Sequence, residues 1–253
     1  MRIIYFFVLI FSLGYAFWLN TLSSHTTSFN YFFNIIGSLN FLLAGITSLV
    51  YLVRSKTHKS IYLTLALSSF FYFCAQLTWY LYNIYYVTEI PYPSYTDLFY
   101  ILFYASLALA GVLSMIKIKF KFHFVSIFEI FIVALVIMLI THSFMNSVST
   151  STPDSPLEII LNFVYPALDA IMISLTLAAI RSQYGRLQPM LLYFIISFIM
   201  LTFGDTIFGY QTSLGTYWNG NMVDIFFAIS GYFYAMGIVN MPQLLNTQDT
   251  KLT

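Results

Sequence analysis

The sequence contains very little charge. Only 8% of its 253 residues are Asp, Glu, Lys or Arg, whereas 60% are hydrophobic and 20% are aromatic. A soluble domain of this length needs far more charged surface, so we predict that lipid is the solvent for most of this chain. The net charge of +1 argues against a nucleic-acid partner, because neutralising phosphates requires clustered basic residues on one face.

Residues that hold common cofactors are also scarce. Cys74 is the only cysteine, which excludes an intrachain disulfide and a cysteine metal cluster. The long apolar segments have no internal lysine for a retinal Schiff base. His25, His58 and His123 lie in loops or at segment ends and His142 is isolated, so no pair of buried imidazoles is available for haem. Metal-ligand spacing, a nucleophile elbow and glycine-rich phosphate loops are missing too. We therefore expect no cofactor and no metal.

Long apolar runs are what the sequence has in abundance. A helix needs about 20 apolar residues to cross a bilayer core roughly 30 Å thick. Backbone amides in lipid must be satisfied within the segment, and the alternation typical of a β-barrel is absent, so these runs predict helices. We predict an all-α integral membrane protein with eight transmembrane helices, over about 3–20, 31–53, 61–86, 97–116, 123–144, 157–180, 188–212 and 222–241.

The basic residues predict the orientation of these helices. When the eight segments alternate across a membrane, all ten Lys and Arg residues fall on one side, which the positive-inside rule identifies as the cytoplasm. Both termini are then cytoplasmic, and the expected location is the plasma membrane of a prokaryote. The residues are Arg2, Arg54, Lys56, Lys59, Lys117, Lys119, Lys121, Arg181, Arg186 and Lys251.

The chain is interpreted as a single membrane domain over residues 1–242, followed by a short polar cytoplasmic tail over 243–253 and no cytoplasmic domain. We expect the first segment to be retained rather than cleaved as a signal peptide, because its apolar run is long and Ala16–Asn20 is bulky for a cleavage site.

The two halves of the domain, about 1–120 and 121–242, resemble one another. Arg54-Ser55 followed by Lys59 recurs as Arg181-Ser182 followed by Arg186, and Asp97–Tyr100 recurs as Asp224–Phe227 at the same offset. Four helices per half is an even number, so a duplication would produce a parallel 4+4 repeat. The alternative is that segments of equal length force the basic loops into equal spacing.

Acidic residues open several of the helices that start on the outer side. Asp97 lies three residues after Ser94, and Asp224 three after Asn221, which is the spacing of a helix cap. The alternative is an acidic rim around an outward-facing pocket. Aromatic residues crowd the same side, as a belt at the lipid headgroups or as ring faces for an organic ligand or cation. The rim candidates are Asp97, Asp224, Trp79, Tyr82, Tyr210 and Trp218.

Two further carboxyls lie within spans. Asp169 is near the middle of the sixth segment and Asp205 in the outer third of the seventh. No Lys or Arg lies at that depth, so each must be protonated, hydrogen-bonded to neutral groups or open to water. Asn162, Asn40 and Gln76 are candidates to complete a polar core, which either binds a proton or ligand or joins the helices by hydrogen bonds.

Two strings carry a resemblance. Pro91–Tyr100 with Tyr104, and Phe203–Tyr210 with Asp224, are similar to motifs of the multi-span N-terminal membrane sensor regions of prokaryotic diguanylate cyclases and histidine kinases. The resemblance covers about the last two-thirds of the chain and implies a stand-alone sensory module without an output domain. It carries over no ligand-binding or catalytic residue.

Three functions remain open at this point. The first is a sensory or partner-binding module that receives a signal at the outer hairpins and passes it through its basic loops to a membrane or cytoplasmic signalling partner. The second is a small proton- or cation-coupled transporter that uses Asp169 and Asp205. The third, an intramembrane lipid-modifying enzyme, has least support because no activating partner for a catalytic group is visible. The sequence predicts no oligomeric state.

Overall fold

The computed structural model describes residues 1–86, 90, 93–117, 124–146, 156–182 and 189–249. Within these ranges the backbone forms eight α-helices and no strand, as predicted. The helices are α1 (Arg2–Leu19), α2 (Ser28–Arg54), α3 (Lys59–Tyr86), α4 (Tyr95–Lys117), α5 (Phe124–Asn146), α6 (Pro156–Ser182), α7 (Pro189–Ser213) and α8 (Asp224–Asp249).

Seven of these helices are long and apolar enough to cross a membrane, which identifies the chain as a multi-pass membrane protein. The remaining helix, α5, contributes a shorter described apolar stretch, Phe131–Ile140. Helix α8 passes through Pro242 and ends at Asp249, so the first residues after 242 continue the helix.

The bundle has two chemically different ends. The basic end is formed by the C-terminal ends of α2, α4 and α6, which carry Arg54, Lys117 and Arg181. The acidic end carries Asp97 and Asp224 in the first turns of α4 and α8. Carboxylates at helix N-termini and basic side chains at C-termini both complement the helix dipole.

Six helices form a closed ring. In this ring α2 packs on α3, α3 on α4, α4 on α6, α6 on α7, α7 on α8 and α8 on α2. Helix α1 lies outside it against α2 and α8, and α5 lies outside it against α6 and α7.

Aromatic rings fill the centre of the ring. Phe41 is stacked on Tyr72 with 3.8 Å between centroids, and Phe103 meets Phe41 edge to face at 5.9 Å. The close approach depends on Gly231 of α8, where a Cβ would lie 2.9 Å from the Phe41 ring. Close-packed cores leave no space for such an addition, so this glycine sets the α2–α8 separation.

The outer surface of the bundle is apolar. Large side chains are exposed along α1 and α5, among them Ile3 (70%), Phe7 (66%), Phe131 (61%) and Ile140 (64%). Contiguous apolar surface of this kind is unusual on a soluble monomer. It is the surface that hydrocarbon chains cover in a membrane protein.

Candidate functional site

A tyrosine hydroxyl joins the two intramembrane carboxyls. The hydroxyl oxygen of Tyr104, on α4, lies 2.5 Å from Oδ1 of Asp169 on α6 and 3.1 Å from Oδ2 of Asp205 on α7. Three ring helices therefore meet at one hydrogen-bonded group, which is called the Tyr104 site below.

The number of hydrogens at this site is limited. A tyrosine hydroxyl has one hydrogen, so it donates to one carboxylate at a time. When Tyr104 donates to Asp169, its contact with Asp205 is a hydrogen bond only if Asp205 is protonated and donates to the hydroxyl oxygen. The geometry thus fits a site that holds one removable proton, or an equivalent monovalent cation, between two carboxyls.

The two carboxyls of the site differ in exposure. The side chain of Asp169 is 2% exposed, whereas that of Asp205 is half-buried. The sequence has no Lys or Arg between the terminal turns of α4, α6 or α7, so no basic side chain of these helices compensates their charge. A buried carboxylate without a counter-charge is costly, and this cost favours uptake of a proton or cation.

Helix periodicity leads from the site to the acidic end. Asp97, Tyr100 and Tyr104 follow the i, i+3, i+7 spacing of one face of α4, and Tyr165 and Asp169 the i, i+4 spacing of α6. The Tyr165 hydroxyl donates to Oδ1 of Asp97 at 2.6 Å. Helices α4 and α6 are thus joined by two tyrosine–aspartate hydrogen bonds that run in opposite directions.

Asp97 also forms the helix cap that its spacing predicts. The backbone N–H of Ser94 donates to Oδ2 of Asp97 at 2.6 Å, and the Ser94 hydroxyl lies 3.3 Å from the same oxygen. This is the return bond of a capping box. Both oxygens of the buried Asp97 carboxylate are therefore occupied by protein donors.

Asp224 has a comparable arrangement at the start of α8. The N–H of Gly220 donates to its Oδ2 at 2.6 Å, and the Tyr217 hydroxyl lies 3.1 and 3.2 Å from its two oxygens. Gly220 has φ 88°, a conformation that glycine adopts without strain. Burial raises the pKa of the Tyr217 phenol well above its ordinary value, and the Asp224 charge raises it further.

Tyr100 connects the acidic end to the Tyr104 site. Its hydroxyl accepts a hydrogen bond of 2.9 Å from Nε2 of Gln76. Its ring meets those of Tyr72 and Tyr165 nearly at right angles, with centroids 5.7 and 6.5 Å away. Gln76 thus bonds to a tyrosine one turn from Tyr104, and not to a carboxyl.

The aromatic rim candidates separate into different places. Trp79 contacts Phe208 of α7 edge to face at 5.8 Å, and Phe208 contacts Tyr217 at 4.6 Å, next to the acidic residues. Trp218 instead stacks on His25 at 3.9 Å and packs with the cluster of Ala16, Leu19 and Phe33.

Two other rim tyrosines lie near the ends of α3 and α7. Tyr82 packs on Tyr86 with 4.6 Å between ring centroids, and Tyr210 is half-buried one turn from the end of α7.

Of the two asparagine candidates, Asn40 lies away from Asp169. Asn40 is 1% exposed and faces Gly231 of α8, and its Oδ1 accepts no described hydrogen bond. The side chain of Asn162 lies outside the described residues. Asn34 donates to Oδ1 of Asn219 at the acidic end.

Sequence reasoning did not identify the hydroxyls that complete the site, namely those of Tyr104, Tyr165 and Tyr217. The spacing of Asp97, Tyr100 and Tyr104 was the available signal, because it places all three on one face of α4. In the described part of the chain, no group of three His, Cys, Asp or Glu side chains is suited to hold a metal ion.

Comparison with known proteins identifies no relative. The chain matches no protein-family model, no curated protein and no solved structure. The case for a function therefore rests on the Tyr104 site and its surroundings.

Proposed function

We propose that this protein is a membrane sensory module that binds a proton or small cation at the Tyr104 site. The observation that carries this proposal is one hydroxyl placed between two buried carboxyls of different helices, Asp169 and Asp205. Intramembrane carboxyls without a counter-charge are functional sites by default. Binding or release of one proton or cation changes which of Tyr104, Asp169 and Asp205 hydrogen-bond to each other.

The acidic end faces the outside in this proposal, because the basic residues collect at the opposite end. Helix α5 is taken as the eighth span. Its 23 residues correspond to about 34 Å of helix, enough for a hydrocarbon core of roughly 30 Å. The termini are then cytoplasmic and the site is reached from outside through the region of Tyr100 and Asp205, in a prokaryotic plasma membrane.

The response to binding is proposed to occur where α4 meets α6. Two bonds of opposite direction, Tyr104 to Asp169 and Tyr165 to Asp97, hold these helices together. Neutralising the Asp169–Asp205 pair removes the charge that Tyr104 stabilises and weakens the first bond. A bond to a charged group contributes about 1.5–3 kcal/mol, which is enough to shift the packing of two helices.

The ring order supports a duplicated architecture around this site. When the second half is placed on the first, α2, α3 and α4 correspond to α6, α7 and α8. Each contact in the ring then has a counterpart: α2–α3 matches α6–α7, α3–α4 matches α7–α8, and α4–α6 matches α8–α2. The α4–α6 contact then joins the two proposed repeats, so a change there moves one half relative to the other. The resemblance to membrane sensor regions favours signalling through the basic loops to a cytoplasmic or membrane-bound partner.

A proton- or cation-coupled transporter is the second candidate, and the contact of both Asp169 and Asp205 with one hydroxyl favours it. Transport requires a polar route to the opposite side as well. Towards the basic end, Leu107, Met172 and Phe198 follow the site on its three helices and line an apolar cavity. A hydrocarbon-lined region of this kind opposes ion passage, which favours a site that is reached from one side only.

A tryptophan reporter tests the proposal. The chain has three tryptophans, and replacing Trp18 and Trp218 with Phe leaves Trp79, which contacts Phe208 one turn from Asp205. We expect the emission of Trp79 to change as a purified sample is acidified or as Na⁺ or K⁺ is added.

Isosteric variants identify the group responsible for that change. Asp169→Asn and Asp205→Asn should abolish it, because an amide does not titrate. The matched control is Glu129→Gln, which neutralises a carboxyl of α5, outside the ring, and should retain the response. An unchanged response in both site variants would contradict the proposal.

Proteoliposomes distinguish the sensor from the transporter. Wild-type protein should show no pH-driven cation or proton flux above empty vesicles, and affinity purification from native membranes should recover an effector protein. Flux that Asp169→Asn abolishes would establish the transporter instead, and repeated recovery of the chain alone would count against signalling.

A further inference from the structure

The basic-end half of the ring contains a partly open apolar cavity of about 70 Å³. It lies between α3, α4, α6, α7 and α8. Leu107 and Met172 line it three residues after Tyr104 and Asp169, so it begins about one helical turn below the Tyr104 site. The lining also includes the flexible side chains of Met115 and Met190.

The cavity provides little to hold water. Its two hydroxyl-bearing residues are Ser114 and Thr176. Each donates to a carbonyl of its own helix, to Ala110 at 2.7 Å and to Met172 at 2.8 Å. A buried water needs two to four polar partners, and apolar cavities without them stay dry and take up apolar ligands. The lining therefore suits an apolar occupant better than water.

The cavity borders the region between α4 and α6 at Gly111. This residue is partly exposed, and a methyl group added there would meet no described atom within 4 Å. The bonds Asp97–Tyr165 and Tyr104–Asp169 tie α4 to α6 on the acidic-end side of Gly111. Gly111 lies six residues before Lys117 at the end of α4, which places it about 9 Å along the helix from that end, within the hydrocarbon layer.

We infer that this cavity takes up the end of one acyl chain of a bilayer phospholipid, which enters between α4 and α6 at Gly111. At this depth the molecules beside the bundle are acyl chains. Since they are as apolar as the lining, the gain comes from dispersion contacts that an empty void lacks. The methionine side chains adapt to the shape of such a chain. The inference is independent of what the Tyr104 site binds.

Photolabelling tests this directly. The full chain is placed in nanodiscs of phosphatidylcholine that carries a diazirine at the end of one acyl chain, illuminated, and mapped by mass spectrometry. We expect label on Met115 and Met172 of the cavity and on Ile140, which is 64% exposed on α5. Gly111→Phe should reduce the cavity label to background and leave the Ile140 label unchanged.

Two controls keep the result interpretable. Gly111→Ala adds only a methyl group into open space and should retain the cavity label. Gly111→Leu should act like Gly111→Phe, and thermal unfolding shows whether each variant is folded. Label on Ile140 without label on the cavity, or cavity label that a folded Gly111→Phe protein retains, would overturn the inference. Cavity labelling by a photoreactive free fatty acid but not by the phospholipid would overturn the phospholipid assignment.

Discussion

At the scale of single residues, Tyr104 is the centre of the molecule's polar chemistry. Its ring is part of the buried core, and its hydroxyl contacts two carboxyls. Side chains in a bilayer have no water to replace a lost partner, so the hydroxyl stabilises the fold, and in the proposed function it also takes part in proton binding. Removing the hydroxyl while keeping the aromatic ring separates the effect of the hydrogen bonds from the effect of core packing.

We predict that Tyr104→Phe lowers the free energy of unfolding by about 1–3 kcal/mol, because it leaves buried acceptors without their donor. The measurement is chemical denaturation in detergent micelles. Tyr193→Phe, on the basic-end part of α7 and outside the site, is the matched control and should have a much smaller effect. Equal losses in the two variants would show that the Tyr104 hydroxyl has no special importance.

The environment of Tyr217 predicts how the stability of the protein depends on pH. Its pKa is raised by burial and by Asp224, so the unfolded chain releases this proton at lower pH than the folded protein does. The stability it contributes is therefore complete below the ordinary tyrosine pKa of about 10 and is lost as the pH rises through the folded-state value. Tyr217→Phe should make the alkaline decline of the unfolding midpoint shallower, and an identical decline would refute this.

At the scale of helices, α2 and α8 pack closely because α8 has a glycine where the Phe41 ring lies. A Cβ at Gly231 would stand 2.9 Å from that ring, whereas one at Gly14 of α1 would meet no atom within 4 Å. Two glycines in the same bundle thus have opposite roles, one in a helix contact and one on the lipid side.

Gly231→Leu is expected to lower the free energy of unfolding by about 1–3 kcal/mol, since overpacking displaces the core. Gly14→Leu is the matched change on exposed helix surface and should be neutral or slightly stabilising, because leucine favours helix more than glycine does. Thermal unfolding of both variants in one detergent provides the comparison. A Gly231→Leu protein as stable as Gly14→Leu would mean that α2 and α8 separate at no cost.

For the whole molecule, the asymmetry of charge predicts which end faces the cytoplasm. In a Cys74→Ser background, Ser24→Cys between α1 and α2 should react with a membrane-impermeant maleimide on intact cells. Lys56→Cys between α2 and α3 should react only after permeabilisation, and both positions are exposed. The two cysteines report separately on the α1–α2 and α2–α3 loops. The reverse labelling pattern would invert the proposed orientation, and with it the side from which the Tyr104 site is reached.

Much of the fold follows from the sequence, because lipid enforces a simple rule. The eight predicted segments coincide with the eight described helices to within a few residues at most ends. The cap at Ser94–Asp97 was predictable too, because capping depends on residues three apart. Both inferences rely on distances along one helix.

The site was only partly predictable, because it depends on which helices face each other. Asp169 and Asp205 stood out by their depth, but Asn40 had the same local appearance and lies instead against Gly231 of α8. Nothing in its own segment distinguishes these outcomes. Helix periodicity indicates which face a residue is on, and the neighbour of that face is decided by the ring.

By itself, the sequence determined that lipid surrounds most of this protein, where its helices lie, and which two carboxyls lack a counter-charge. These follow from hydropathy, length and the absence of lysine and arginine in the spans. Only the tertiary structure decided that the hydroxyl of Tyr104 joins those carboxyls across α4, α6 and α7. The physical reason is that a hydrogen bond acts over about 3 Å, whereas these three residues are far apart along the chain and meet only when the ring closes.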